Sequence, residues 1–171
     1  MTLFLIKVGV IYAAWQLLYD FILLPDGRLD TFLSFTGVRH ASWLLSALGW
    51  EIEITDRFIS CAVKRGVFIQ NGCNGLNLLG LYAGFIVAYP GPWDRRLPFL
   101  AGGLFAIYLA IVARIAFFAV FNASYPQYWG TAHEYSSYVF FYPIVLSFWY
   151  LWTLISEKKH LFISRENYSS A

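Results

Sequence analysis

The stretch LPFLAGGLFAIYLAIVARIAFFAVF, residues 97–121, decides the fold. As a helix rising 1.5 Å per residue it is longer than the roughly 30 Å of a bilayer's hydrocarbon core. Its single charge is Arg114. A guanidinium inside a span is costly unless paired or hydrated, so function is the default reading. The plainer reading is an arginine that snorkels toward a nearby helix end. Ala106, Ala110, Ala113 and Ala116 surround it. Small residues let helices approach closely, which favours an inward-facing Arg114.

The rest of the chain agrees that bilayer is the solvent. Of 171 residues, 59% are apolar, 20% aromatic and only 13% charged. Soluble domains carry about a quarter charged residues. A net charge of +2, with no basic cluster interleaved with aromatics, gives no footprint for nucleic acid. Cys61 and Cys73 do not make a disulfide framework, and the scattered Cys and His residues lack zinc-ligand spacing. No metal or other cofactor is expected.

Four spans are predicted, at residues 2–24, 75–90, 97–121 and 138–155. The fold class is therefore an all-α, polytopic membrane bundle, a single domain over residues 1–156. Residues 157–171 form a short cytoplasmic tail. The first span reads as an anchor ending at Pro25-Asp26-Gly27, because no small-residue cleavage pattern precedes it. Residues 32–50 hold Arg39, His40, Trp43 and Trp50 and read as an interfacial or re-entrant helix. Residues 51–70 alternate loosely, as a short β-hairpin through Lys64-Arg65-Gly66 would. Asp94-Arg95-Arg96 and Lys158-Lys159 mark two short loops as cytoplasmic. The segment 25–72 and the loop 122–137 then lie outside.

Within this topology the turn Asn71-Gly72-Cys73-Asn74-Gly75-Leu76 precedes the second span. Arg114 lies near the end of the third, and His133 precedes the fourth. Start, end and start of successive antiparallel crossings share one membrane face, whichever way the protein is inserted. Gly72 and Gly75 permit a tight turn. A helix starting at or just after Cys73 would aim free N–H groups at the thiol, lowering its pKa and offering oxyanion donors. His133 is suited to proton exchange near neutrality, although a histidine at a helix entry also serves structure alone. Asn77 is four residues beyond Cys73, on the same helical face, and could orient His133 or the substrate. Cys61 and His40 read as structural.

At Cys73 with Gly75, Arg114 and His133, the chain resembles the exosortase/archaeosortase family of membrane cysteine transpeptidases. The resemblance covers roughly residues 66–156. Asn74 stands where serine is common in that family, and Ile111-Val112-Ala113 replace a segment that often holds asparagine. The resemblance implies a catalytic set of Cys73, Arg114 and His133. It further implies partners that are exported proteins ending in a short motif, a membrane helix and a basic tail. Cys73 would attack a peptide carbonyl at the outer face of the cell membrane, His133 would move the proton, and Arg114 would stabilise charge or position the substrate. An acceptor nucleophile or water would resolve the acyl-enzyme. The competing readings are a non-catalytic membrane assembly protein, a redox pair of Cys61 and Cys73, and a purely hydrolytic intramembrane protease.

Overall fold

The computed structural model describes residues 2–61 and 65–169, with side chains for 5–61 and 65–156. The chain is mostly helical, with one small sheet. Helix α1 (Thr2–Leu18) passes through a π turn at Tyr19–Leu23 into the short α2 (Leu24–Asp26). Gly27 stops this helix in the left-handed conformation, φ +67°, its N–H bonded to the carbonyl of Leu23. The break falls at the Pro25-Asp26-Gly27 stop. Helix α3 (Arg28–Ala47) follows at once, and its Val38, Ala41 and Leu45 are buried.

The segment after α3 then forms three strands: β1 (Ile52–Thr55), β2 (Phe58–Cys61) and β3 (Gly66–Phe68), antiparallel in that order. The expected hairpin is present, β2 and β3 pairing antiparallel on either side of the 62–65 link, and a second, unexpected hairpin precedes it. Thr55 pairs with Phe58 across a two-residue loop, in which Asp56 takes φ +53°. Such loops need left-handed residues, and Asp is among those that accept this region. The stretch read as the hairpin turn joins the antiparallel pair β2 and β3, and its Lys64 lies outside the described residues. Ile59, Cys61, Val67 and Ile69 are buried, and the sheet packs against α3 and α5.

Three helical stretches are long and apolar enough to cross a membrane: Leu5–Asp26, Trp93–Ser124 and Pro126–Ser156. The expected second span is a shorter helix, α4 (Leu76–Ala88), of 13 residues. At 1.5 Å per residue it covers about 20 Å, less than the hydrocarbon thickness. Helix α5 (Trp93–Ser124) is longer than its apolar stretch, because Asp94, Arg95 and Arg96 form its first turns. Then come a 3₁₀ turn at Pro126–Tyr128, α6 (Trp129–Phe140) and α7 (Tyr142–Ser169).

Helix α5 is the hub. Half of its most apolar window is buried (50%), against 6% for the first stretch. Gly103, Ile107, Ala110, Ile111, Ile115, Phe118 and Ala119 recur at helical spacing along its buried side. Without a strong hydrophobic force between helices in lipid, close packing and buried hydrogen bonds hold such a bundle together. Gly103 lets the Tyr82 ring lie on the α5 backbone, where the Tyr82 hydroxyl donates to the carbonyl of Phe99 at 2.9 Å. Gly80 and Gly84 of α4 face Trp15 and Ile11 of α1, so this small-residue pair serves the α1–α4 contact and not α5.

Candidate functional site

Cys73 lies in a turn whose shape is imposed from three directions. Gly72 and Gly75 both take left-handed φ, +81° and +84°. At Gly75 a Cβ would also lie 2.8 Å from Ile111 of α5. Between them Asn74 is buried and fully engaged. Its amide donates to the Asp30 carbonyl (2.8 Å), to Asp30 Oδ1 (3.0 Å) and to Ser34 Oγ (3.1 Å). Its side-chain oxygen accepts the N–H of Leu76 at 3.0 Å, closing the turn that opens α4. A serine could not fill all these roles, which gives a physical reason for asparagine here.

The anchor of this turn is Asp30, which is absent from the sequence-derived site. It is 0% exposed. Its Oδ1 also accepts the Gly72 N–H at 2.8 Å and the Tyr19 hydroxyl at 3.3 Å. The π turn of the first helical stretch begins at Tyr19. A carboxylate with several hydrogen bonds from the Cys73 loop and its surroundings is a stiff bracket for that loop. In sequence Asp30 is one acid among several in a segment of balanced charge, and only its burial sets it apart.

Arg114 joins the turn to α6. Its Nη1 donates to the Cys73 carbonyl at 3.2 Å and its Nε donates to Ser136 Oγ at 2.9 Å. Ser136 in turn donates to the carbonyl of His133 at 2.8 Å. The guanidinium sits over the rings of Phe118 (4.8 Å) and Phe141 (5.2 Å) and is 8% exposed. One buried cation thus touches the cysteine-bearing turn directly and the histidine-bearing helix through a single hydroxyl. Its contact with Cys73 is to the main-chain carbonyl.

Cys73 and His133 are both exposed and both line one open cavity of about 400 Å³. The imidazole stacks on Phe118, centroids 5.7 Å apart at 20°, and leans on Trp129 at 5.7 Å. Asn122 and residues 66–70 complete the lining. Two expectations change. Helix α4 starts at Leu76, three residues after Cys73, and the Cys73 N–H is already donated to the Gln70 carbonyl at 3.2 Å. The N–H groups of Cys73 and Leu76 are therefore spent within the turn itself. Asn77 faces elsewhere: its Oδ1 accepts the Trp15 indole N–H at 2.7 Å. It pins α4 to α1 and does not line the cavity. Cys61 is buried on β2, with no disulfide to Cys73. His40 bonds Tyr108 at 2.6 Å, away from the cavity. Among the described residues no three His, Cys, Asp or Glu side chains converge as metal ligands would.

The family model for transmembrane exosortases matches residues 1–150. The chain belongs to that family. No curated protein and no solved structure matches it. The match reaches further toward the N-terminus than residues 66–156. It takes in α1 and α3, which supply Tyr19 and Asp30 to the bracket behind the cysteine turn.

Proposed function

We propose that this exosortase-family chain is a cysteine peptidase that works as a transpeptidase on exported proteins. One observation carries the reading. A solvent-reachable thiol and an imidazole line the same cavity, with a buried guanidinium bracing both from behind. Those are the parts of nucleophilic acyl transfer.

In this mechanism the Cys73 sulfur bonds to a substrate carbonyl carbon and the scissile C–N bond breaks. The thiol proton reaches the leaving amine by way of His133. Arg114 holds the Cys73 main chain still and lends positive charge to the developing oxyanion. An acceptor amine or hydroxyl then gives its proton to His133 and displaces the thiol. With water as acceptor the same steps give hydrolysis. The basic loops at Arg95-Arg96 and Lys158-Lys159 support an orientation with the cavity at the outer face of the cell membrane. The substrate class is exported proteins ending in a short motif, a membrane helix and a basic tail.

The test is co-expression with such a tail-anchored protein and mass spectrometry of its new C-terminus. Cleavage by the wild-type chain and none by Cys73→Ala is expected. Equal cleavage by both would sink the enzyme in favour of an assembly role. An added acceptor mass on the product distinguishes transfer from hydrolysis.

A further inference from the structure

Strand β3 is an edge strand, and its unpaired side borders the Cys73 cavity. Two hydrogen bonds define which groups face outward. The Ile69 N–H bonds the Arg57 carbonyl at 3.0 Å, so Ile69 faces β2. The Gly66 carbonyl instead accepts from Asn122 Nδ2 at 3.0 Å, on the opposite side. In an antiparallel ladder the direction alternates with each residue. The N–H and C=O of Phe68 therefore share the open edge with Gly66. Among the described residues no hydrogen bond reaches those Phe68 groups.

The cavity touches Gly66, Val67, Phe68, Ile69 and Gln70 in unbroken succession. A cavity over a sheet face would meet alternate residues, whereas one along an edge meets each in turn. The edge also leads to the nucleophile, because the Gln70 carbonyl accepts the Cys73 N–H at 3.2 Å. At about 3.3 Å per residue, the three residues of β3 offer roughly 10 Å of strand, and residues 69–70 carry the chain on to the Cys73 turn. Asn122, itself lining the cavity, already presents an amide donor to this edge as a peptide N–H would.

We infer that the substrate segment binds as a fourth strand on β3, hydrogen-bonded to the outward N–H and C=O of Phe68 and running onto Cys73. The inference rests on the peptidase reading of the same cavity. It assigns the ligand as extended peptide backbone, so side-chain preference would enter at every second substrate residue.

The test uses disulfide capture in isolated membranes. The full chain carries Cys73→Ala and Phe68→Cys. The co-expressed test protein, ending in a motif, a membrane helix and a basic tail, carries single cysteines through its motif. Paired strands bring Cα atoms within disulfide reach only for residues on the same face. Capture at every second position is expected. In parallel, Phe68→Pro removes the outward N–H while sparing the bonds to β2, as an edge position tolerates. Cleavage should be roughly tenfold slower than with Phe68→Ala, the loss of one hydrogen bond of ordinary strength. Even capture at successive positions, or none, with a protein that the wild-type chain cleaves, overturns strand addition and leaves the enzyme standing. Equal rates for Phe68→Pro and Phe68→Ala overturn it as well. Alternating capture without wild-type cleavage keeps the strand subsite and sinks the enzyme instead. Neither capture nor cleavage removes both.

Discussion

Arg96 and Arg114 lie on one helix, about 27 Å apart along its axis, and they are put to opposite uses. Arg96 donates to the carbonyls of Tyr89 (3.2 Å) and Gly91 (3.4 Å), where α4 ends. Its guanidinium rests over the Trp93 ring at 4.2 Å. It closes the α4–α5 connection with a cation at a helix C-terminus, a favourable but modest arrangement. Arg114 spends its donors on Cys73 and Ser136 and sits directly behind a cavity that holds a thiol and an imidazole. Hydrogen bonds from an arginine to main-chain carbonyls do not by themselves mark function. The difference lies in what the charge holds in place, a helix end in one case and the elements that carry Cys73 and His133 in the other.

The strongest way to break this contrast is at the thiol. Cys73→Ala should abolish substrate processing outright while leaving the detergent-solubilised protein's melting temperature near wild type, since the side chain is exposed. Next comes a matched pair of conservative changes. Arg114→Lys keeps the charge but loses the fork that reaches Cys73 and Ser136 together, and processing should fall by roughly a hundredfold. Arg96→Lys should change it by less than about twofold, because a lysine can still meet the α4 carbonyls. Similar losses from both, followed by mass spectrometry of the substrate, would erase the distinction.

Asp30→Ala sharpens the comparison from the other side. It strips the acceptor from Gly72, Tyr19 and Asn74 together. A cost of about 2–4 kcal/mol in detergent unfolding is expected, by the usual penalty for buried groups left unpaired. Alkylation of Cys73 by a maleimide should change rate as the turn loosens, and an unchanged rate would remove Asp30 from the support of the site. The smallest effect is expected at Asn77→Ala. Losing the Trp15 bond should lower stability by about 1 kcal/mol and leave processing within roughly threefold of wild type. A large loss of activity at unchanged stability would return Asn77 to the catalytic group.

Much of the architecture was legible because lipid enforces simple patterns. Long apolar runs, a Pro-Asp-Gly stop, a lone intramembrane arginine and the alternation of crossings suffice to bring Cys73, Arg114 and His133 to one end. Turn chemistry was legible at Gly72 and Gly75, where positive φ suits glycine. The hairpin through Lys64-Arg65-Gly66 was legible, whereas the further hairpin at Asp56-Arg57 was not, because that turn carries no Gly or Pro to announce it. The second span was read as 75–90 and the helix that forms is 76–88: Asn74 and Gly75 set its start at Leu76, and Tyr89, extended before Pro90, ends it.

The sequence by itself determined which residues are candidates and that they meet at one end of the bundle, since hydropathy and chain direction are local properties. Only the tertiary structure decided their partners. Asp30 stands 42 positions from Gly72 in the chain, and Arg114 stands 41 from Cys73. Hydrogen bonds over such separations depend on how α3, α5 and the sheet pack together, which no periodicity encodes. The same packing turned the Cys73 amide back to Gln70, sent Asn77 to Trp15 and left an open strand edge beside the thiol.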